Sequence, residues 1–205
     1  MRIYIKGDYT KEIPFDYLEL AKRMWFDTKN GKRVDFSYFG NTRPFKTDPT
    51  IHLKLNKWMH DNRWNKVRLK EGITNKFGSH VYENLELDFE DNPATDYREK
   101  GDCLRLASTH LDLLTVDKRA MYIMAIEIAT AIDGKISEDD KKTWLTVEKF
   151  RKKHEAILSL TFEEANERSL NEIQTMDVVD DPLWEEEANH RKEYILAHGG
   201  DISDL

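Results

Sequence analysis

Cysteine is almost absent from the sequence, since Cys103 is the only one among 205 residues. A single cysteine excludes an internal disulfide framework and is typical of a reducing compartment. The first ten residues, MRIYIKGDYT, lack the long apolar run of a secretory signal peptide. We therefore expect a soluble cytoplasmic protein in which Cys103 is a small buried residue rather than a nucleophile.

Recognisable catalytic and ligand-binding motifs are also missing. The chain contains no GxGxxG, GxxxxGK[ST] or GxSxG pattern, which argues against common nucleotide enzymes and serine hydrolases. Its seven histidines show no metal-ligand spacing such as HExxH, and the pair His110 and Asp112 is best explained by chance. The acidic stretch DGKISEDD places its glycine wrongly for a calcium loop. We expect no catalytic residue, no metal and no cofactor, and the sequence favours a protein that is not an enzyme.

Charged residues are plentiful and unevenly distributed. They make up 35% of the chain beside 39% hydrophobic residues, which indicates a folded protein with a strongly solvated surface. Residues 1–80 hold 17 Lys and Arg against 9 Asp and Glu, a net charge of +8. Residues 81–205 hold 15 against 30, a net charge of −15. This asymmetry is compatible with complementary lobes of one fold and also with separate basic and acidic contact faces.

The stretch 116–132 gives the strongest structural signal. From Ala120 to Ile132 only Glu127 and Thr130 are clearly polar. A helix with such a narrow polar stripe is normally buried in a core or in a membrane. The run is too short to span a bilayer, and charged residues precede and follow it. The sequence therefore predicts a buried central helix.

Shorter periodic segments surround this helix. Strands are predicted at Arg2 to Lys6, Val34 to Phe39, Ile51 to Leu55, Val67 to Leu69, Leu85 to Phe89 and Leu104 to Leu106, and as a hairpin of Lys135 to Ser137 with Thr143 to Leu145. Helices are predicted for residues 14–27, from the N-cap Thr146 to Leu158, from Thr161 with its capping-box partner Glu164, and after Asp181.

The order of these elements predicts an α+β fold. Its sheet is mixed or antiparallel and is built from β-α-β-rich units around the buried central helix, with a helical segment at the C-terminus. The same pattern allows a ferredoxin-like arrangement. We predict an α+β core domain over residues 1–160 and an acidic helical extension over residues 161–205. A sub-boundary or long loop is expected near residues 90–102, where no apolar period is present.

A basic and aromatic stretch at residues 52–70 is the first candidate for a functional surface. Basic side chains that meet phosphates, beside aromatic rings that stack on bases, are typical of single-stranded nucleic-acid binding. The candidate residues are Lys54, Lys57, Trp58, Arg63, Trp64, Lys66, Arg68 and Lys70. The pattern fits better with edge strands whose outward charges prevent aggregation and whose tryptophans pack inward.

The acidic segment near the C-terminus is the second candidate. An amphipathic helix in this segment can dock on the basic lobe of its own chain or on a basic partner. The candidate partner-binding residues are Trp184, Glu185, Glu186, Glu187 and Tyr194.

The sequence thus leaves two functions open. The first is a non-catalytic protein that binds a partner protein through an acidic surface, as immunity proteins, antitoxins and phage accessory proteins do. The second is a nucleic-acid-binding module that uses residues 52–70. The net charge of −7 opposes the approach to a polyanion unless the basic residues are segregated, so we favour a protein partner. We expect no contact with a membrane.

Overall fold

The computed structural model describes residues 1–40, 50–71, 80–91 and 100–175, together with residues 193 and 196. Within these residues the chain forms an α+β fold with one seven-stranded antiparallel sheet and seven α-helices, which confirms the predicted fold class. The strands are β1 Arg2–Lys6, β2 Phe36–Gly40, β3 Ile51–Leu55, β4 Leu85–Asp91, β5 Lys100–Ser108, β6 Lys135–Ser137 and β7 Leu145–Thr146. The helices are α1 Tyr17–Met24, α2 Lys57–His60, α3 Asn62–Glu71, α4 Thr115–Ala131, α5 Val147–Lys153, α6 Glu155–Leu158 and α7 Phe162–Thr175.

The strand order in the sheet is β2-β3-β4-β5-β1-β6-β7. Consecutive strands from β2 to β5 pair as antiparallel neighbours, and so do β6 and β7. The first strand is the exception, because β1 lies inside the sheet between β5 and β6. The two edges of the sheet are therefore β2 and β7.

Alternation along the strands separates the two faces of the sheet. On one face Ile3 pairs with Leu106 and Leu53 pairs with Leu85, and all four side chains are buried in the hydrophobic core. Side chains of α1, α4 and α5 complete this core. The intervening positions point to the opposite face, where residues such as His52 are only half-buried. The period-two pattern of the sequence thus provides the apolar face on which α1, α4 and α5 pack.

Helix α4 lies at the centre of the core. Of its 17 residues 11 are buried, and Ile128 has no solvent exposure. The helix contacts β1 and β6 as well as α1, α5 and α6. It ends where Asp133 takes a left-handed backbone conformation and Gly134 N donates a 2.7 Å hydrogen bond to Ala129 O. The prediction of a buried central helix at 116–132 is confirmed.

The predicted helix caps are also present. Thr146 Oγ1 accepts a hydrogen bond from Lys149 N at the start of α5. Thr161 and Glu164 form a reciprocal capping box at α7, with bonds of 2.8 and 3.2 Å. The helix predicted after Thr146 is divided into α5 and α6, because the backbone at His154 leaves helical geometry with φ −108° and ψ 18°.

One predicted strand is wrong, since Val67 and Leu69 belong to α3. Their spacing of two residues predicts strand alternation. However, Asp61 Oδ1 accepts a 3.0 Å hydrogen bond from Arg63 N and so caps the start of a helix. The helix also carries Trp64 into the core, where the side chain is fully buried. Capping and the burial of a large aromatic side chain outweigh a two-residue alternation.

The C-terminal part of the chain is described only up to the end of α7, apart from residues 193 and 196. The chain divides into two compact units, Met1–Gln174 and Thr175–Leu205. The helix predicted after Asp181 lies outside the described residues. None of the helices in the described part of the chain combines the length and the apolar composition needed to cross a membrane.

Replacing Ile128 with Asp is expected to lower the free energy of unfolding by at least about 4 kcal/mol, because the substitution buries an unpaired charge in α4. The matched control, Thr130→Asp, introduces the same residue at an exposed position of the same helix. Its expected effect is below about 1 kcal/mol. Urea denaturation of both variants measures the difference, and equal effects would show that α4 is peripheral.

Candidate functional site

The candidate nucleic-acid residues do not lie together on one surface. Lys57 is 1% exposed and Trp64 is fully buried, so these two belong to the core. Arg63 is exposed and forms ion pairs with Asp61 at 2.7 Å and with Glu167 at 2.8 Å. Lys66 is exposed, whereas Lys54, Trp58 and Arg68 are half-buried, and the side chain of Lys70 lies outside the described part of the chain.

Trp64 connects α3 to α7. Its indole Nε1 donates a 2.7 Å hydrogen bond to Asn166 Oδ1, and Asn166 in turn donates to Asp61 Oδ2. The ammonium group of Lys57 lies 5.3 Å from the centre of the Trp64 ring. These contacts give Lys57 and Trp64 a role in packing.

Three members of the predicted set do meet at the surface. Lys54 Nζ lies 5.3 Å from the ring centre of Tyr82, and the Arg68 guanidinium lies 5.3 Å from the ring centre of Trp58. The rings of Trp58 and Tyr82 are 5.0 Å apart. This half-buried group, which we call the Trp58 cluster, combines two cations with two aromatic rings.

A buried ionic cluster joins α2, the 3-10 turn His80–Tyr82 and the start of α4. Lys57 Nζ donates to Asp117 Oδ2 at 2.5 Å and to His80 O at 2.8 Å. Glu83 Oε2 lies 2.7 Å from His110 Nδ1, and its Oε1 accepts from backbone nitrogens of the same loop. The rings of His80 and His110 stack with centroids 4.2 Å apart. The carboxylates are thus occupied by donors of the chain itself.

Burial governs the protonation of this cluster. It raises the pKa of the Asp117 carboxyl, while the Lys57 ammonium opposes that rise. Burial also lowers the pKa of His80 to about 4, and the adjacent His110 acts in the same direction. The cluster therefore holds a buried ion pair and a neutral His80 at neutral pH. Its contacts show how it fastens α2 to α4, which is a structural role.

Sequence reasoning missed this cluster for a physical reason. Lys57 and Asp117 are 60 positions apart, and no local pattern links them. In the sequence Asp117 is one of the charged residues that precede the apolar run. A buried carboxylate in the first turn of an apolar helix requires a cationic partner. This requirement is the only feature of the sequence that indicates a buried cation beside Asp117.

A second polar group surrounds the cysteine. Atoms of Glu90, Asp102 and Cys103 lie within 4.8 Å of one another, which is close enough for a metal ion. However, Lys141 binds Glu90 at 2.7 Å and Lys6 binds Asp102 at 3.0 Å. Burial, followed by the contact with Glu90, raises the pKa of the Cys103 thiol to about 12. The thiol therefore stays protonated, and a cation would have to displace both lysines.

The edge strand β2 carries the largest exposed side chains of the sheet. Phe39 is 73% exposed and Tyr38 is 46% exposed. Because successive residues of a strand point to opposite faces, the two rings flank the edge from both sides. On one side Tyr38 stacks on Tyr17 with centroids 4.1 Å apart, and on the other Phe39 meets His52 edge to face at 5.6 Å. Two ring contacts thus hold the aromatic side chains of β2 in place.

The backbone register shows which groups of β2 face outward. Asn56 N donates to Asp35 O at 3.0 Å, immediately before the pairing of β2 with β3. Bonded and non-bonded pairs alternate along an antiparallel ladder. Ser37 and Phe39 therefore bond to β3, and the backbone N–H and C=O groups of the alternate residues, Phe36, Tyr38 and Gly40, point away from the sheet. In the part of the chain that the structure describes, no strand covers them.

Among the described residues, this edge lacks the devices that usually protect a sheet from pairing with another chain. Natural edge strands are kept short, or carry charges, proline or bulges. The opposite edge, β7, has only two residues. In contrast, β2 has five residues, FSYFG, with neither a charge nor a proline. We define the β2 edge as the outward backbone of β2 together with Tyr17, Tyr38 and Phe39, and it is the best candidate for a binding site.

The candidate partner-binding residues in the acidic segment lie outside the described residues. They are Trp184, Glu185, Glu186, Glu187 and Tyr194. The available signal for a site at β2 is the presence of three aromatic residues in an uncharged five-residue strand.

Removing one partner of the buried ion pair should be costly. Lys57→Met leaves Asp117 without its counter-charge and is expected to reduce stability by roughly 3–5 kcal/mol. The double variant Lys57→Met with Asp117→Leu should be more stable than Lys57→Met alone, because it leaves no unpaired carboxylate at position 117. Urea denaturation at pH 7 tests this, with Lys54→Met as a control on β3. If the losses in free energy of unfolding from the two substitutions add up in the double variant, Lys57 and Asp117 do not stabilise each other.

His80 should make the fold sensitive to acid. Its pKa is lowered to about 4 from an ordinary value of 6.5, so its contribution to stability is present above pH 6.5 and is lost as pH falls to about 4. The half-exposed ring limits the loss to about 1–2 kcal/mol. His80→Gln, which does not titrate, should lose less stability over this interval. If the stability of the wild type and of His80→Gln falls by the same amount over this pH interval, the acid sensitivity does not come from His80.

Comparison with known proteins gives no family for the chain. No protein-family model matches the sequence, no curated protein matches it, and no solved structure matches the fold.

Proposed function

We propose that the chain is a non-catalytic protein that binds a partner protein, and that an extended segment of the partner pairs with the β2 edge. The observation that carries this proposal is an uncharged edge strand with exposed aromatic rings on both sides. Addition of a strand to an open sheet edge is a recurrent mode of peptide recognition. In this mode backbone hydrogen bonds supply affinity, and side chains beside the edge supply specificity.

The β2 edge offers both kinds of contact. The outward groups of Phe36, Tyr38 and Gly40 can form backbone hydrogen bonds, each with a net contribution of roughly 0.5–1.5 kcal/mol. Tyr38 and Phe39 would lose exposed apolar surface when a partner strand covers them. Because Tyr17 already stacks on Tyr38, part of this surface is ordered before binding.

The acidic segment is a further part of this proposal. Trp184 and Tyr194, with the glutamates between them, would contribute a second contact to a basic region of the partner. The cytoplasm is the proposed location, supported by the single cysteine.

Nucleic-acid binding is the second candidate function, and the Trp58 cluster favours it. Trp58 supplies a ring for stacking, and Lys54 and Arg68 supply positive charge beside it. The cluster is small, because Lys57 and Trp64 are buried and Arg63 is paired with carboxylates. This observation ranks the nucleic-acid function below the protein partner.

Tyr38→Pro should abolish binding of the partner. Proline removes the outward N–H of Tyr38 without removing a bond between β2 and β3, so the fold should persist while strand addition is blocked. The experiment compares proteins recovered from nuclease-treated native extract by the wild type and by the variant. Dissociation constants of the recovered partner are then measured with both purified proteins. We expect binding to weaken at least about ten-fold in Tyr38→Pro.

Two control variants separate the possible results. Tyr38→Ser retains the N–H and loses only the ring, so it should weaken binding less than Tyr38→Pro does. Trp58→Ala with Lys54→Ala and Arg68→Ala should leave the protein partner bound. If the wild type and Tyr38→Pro both recover nucleic acid from extract that has not been treated with nuclease, and the triple variant does not, the second function replaces our proposal. A wild-type dimer that Tyr38→Pro converts to monomer would show that the edge binds a second copy.

A further inference from the structure

A tight hairpin places basic side chains just before β2. Lys29 and Lys32 exchange two backbone hydrogen bonds, of 2.8 and 2.9 Å. Asn30 and Gly31 between them have positive φ values of 51° and 73°, as a two-residue hairpin turn requires. Arg33, which follows Lys32, is therefore attached to a well-defined turn. We call Lys32 and Arg33 the basic pair.

The basic pair has no counter-charge in the part of the chain that the structure describes. Both side chains are exposed. Neighbouring cations differ in this respect, since Lys29 forms an ion pair with Glu163 at 2.6 Å and Lys22 lies 3.7 Å from Asp27. The positive charge of Lys32 and Arg33 is thus available to a bound molecule.

The link between the basic pair and β2 is also fixed. Val34 is buried, and Asp35 is hydrogen-bonded to Asn56 N, directly after β3, and to His60 Nε2 in α2. The Asp35 carboxylate accepts a 2.6 Å hydrogen bond from Asn56 Nδ2. Consequently Arg33 stays near the start of β2, within about 10 Å of Phe36 along an extended chain.

We infer that the extended segment bound at the β2 edge is acidic where it passes the start of β2, next to Lys32 and Arg33. This inference rests on the proposed function and names the chemistry of its partner. A strand paired with Phe36 and continuing past it runs alongside the basic pair. Asp or Glu at those positions forms charge-assisted contacts, whereas Lys or Arg is repelled.

The charges also determine the register of the bound strand. Backbone hydrogen bonds alone allow a strand to slip along an edge, and a slip of one residue exchanges the side chains of the two faces. Acidic residues of the bound segment that lie beside Lys32 and Arg33 favour one register of its pairing with β2. Binding should therefore weaken as salt increases, because exposed charges are screened.

Selection of short random peptides displayed on phage tests this inference. The targets are the wild-type protein, Tyr38→Pro, and the double variant Lys32→Glu with Arg33→Glu. Peptides that bind the wild type and not Tyr38→Pro should be enriched in Asp and Glu at one end. A synthetic copy of the most enriched peptide should bind the charge-reversed variant at least about ten-fold more weakly than the wild type at low salt.

A matched variant controls for net charge. Arg151→Glu with Lys152→Glu produces the same change on α5, which follows the opposite edge strand β7, and should bind the peptide as the wild type does. Edge-dependent peptides without acidic enrichment, or with equal affinity for the charge-reversed variant, would overturn the acidic partner and leave strand addition intact. If no selected peptide depends on residue 38, strand addition and the acidic partner are both refuted.

Discussion

The burial of α4 is the constraint on which the rest of the structure depends. A helix with apolar residues on nearly all sides needs cover on all of them, and the sheet, α1, α5 and α6 supply it. This arrangement requires one apolar face of the sheet and leaves the opposite face polar. It also buries Asp117 in the first turn of the helix, so Lys57 must enter the core as its counter-charge. The position of α2 follows from that electrostatic requirement.

Periodicity within the sequence was sufficient to identify the strands and helices whose apolar residues recur at regular spacing. Ile51, Leu53 and Leu55 alternate with polar residues and form β3, and the apolar run forms α4. Local periodicity failed at Val67, where two apolar residues are too few to separate strand from helix. It also could not show that β2 lies at an edge, because the order of strands depends on pairing between distant segments.

The candidate surfaces were less accessible to sequence reasoning than the fold. Lys57 and Trp64 share the composition of a nucleic-acid surface, yet their partners, Asp117 and Asn166, come from later helices. The uneven distribution of charge is partly explained by such contacts, because Lys29 pairs with Glu163 across the two halves of the sequence. Each exposed pair of this kind contributes at most about 1 kcal/mol, so these pairs do not determine the fold.

The inner position of β1 has a consequence for how the protein forms during synthesis. Its first neighbour to be made, β5, begins at Lys100 and β6 begins only at Lys135, so Ile3 and Ile5 have no strand to join until then. The hairpin of β2 and β3 can form earlier, because its strands are close in sequence. Insertion of β1 closes a long loop and should be a late and slow step of folding. Nascent chains that stall before β5 would expose apolar strands to aggregation and to chaperones.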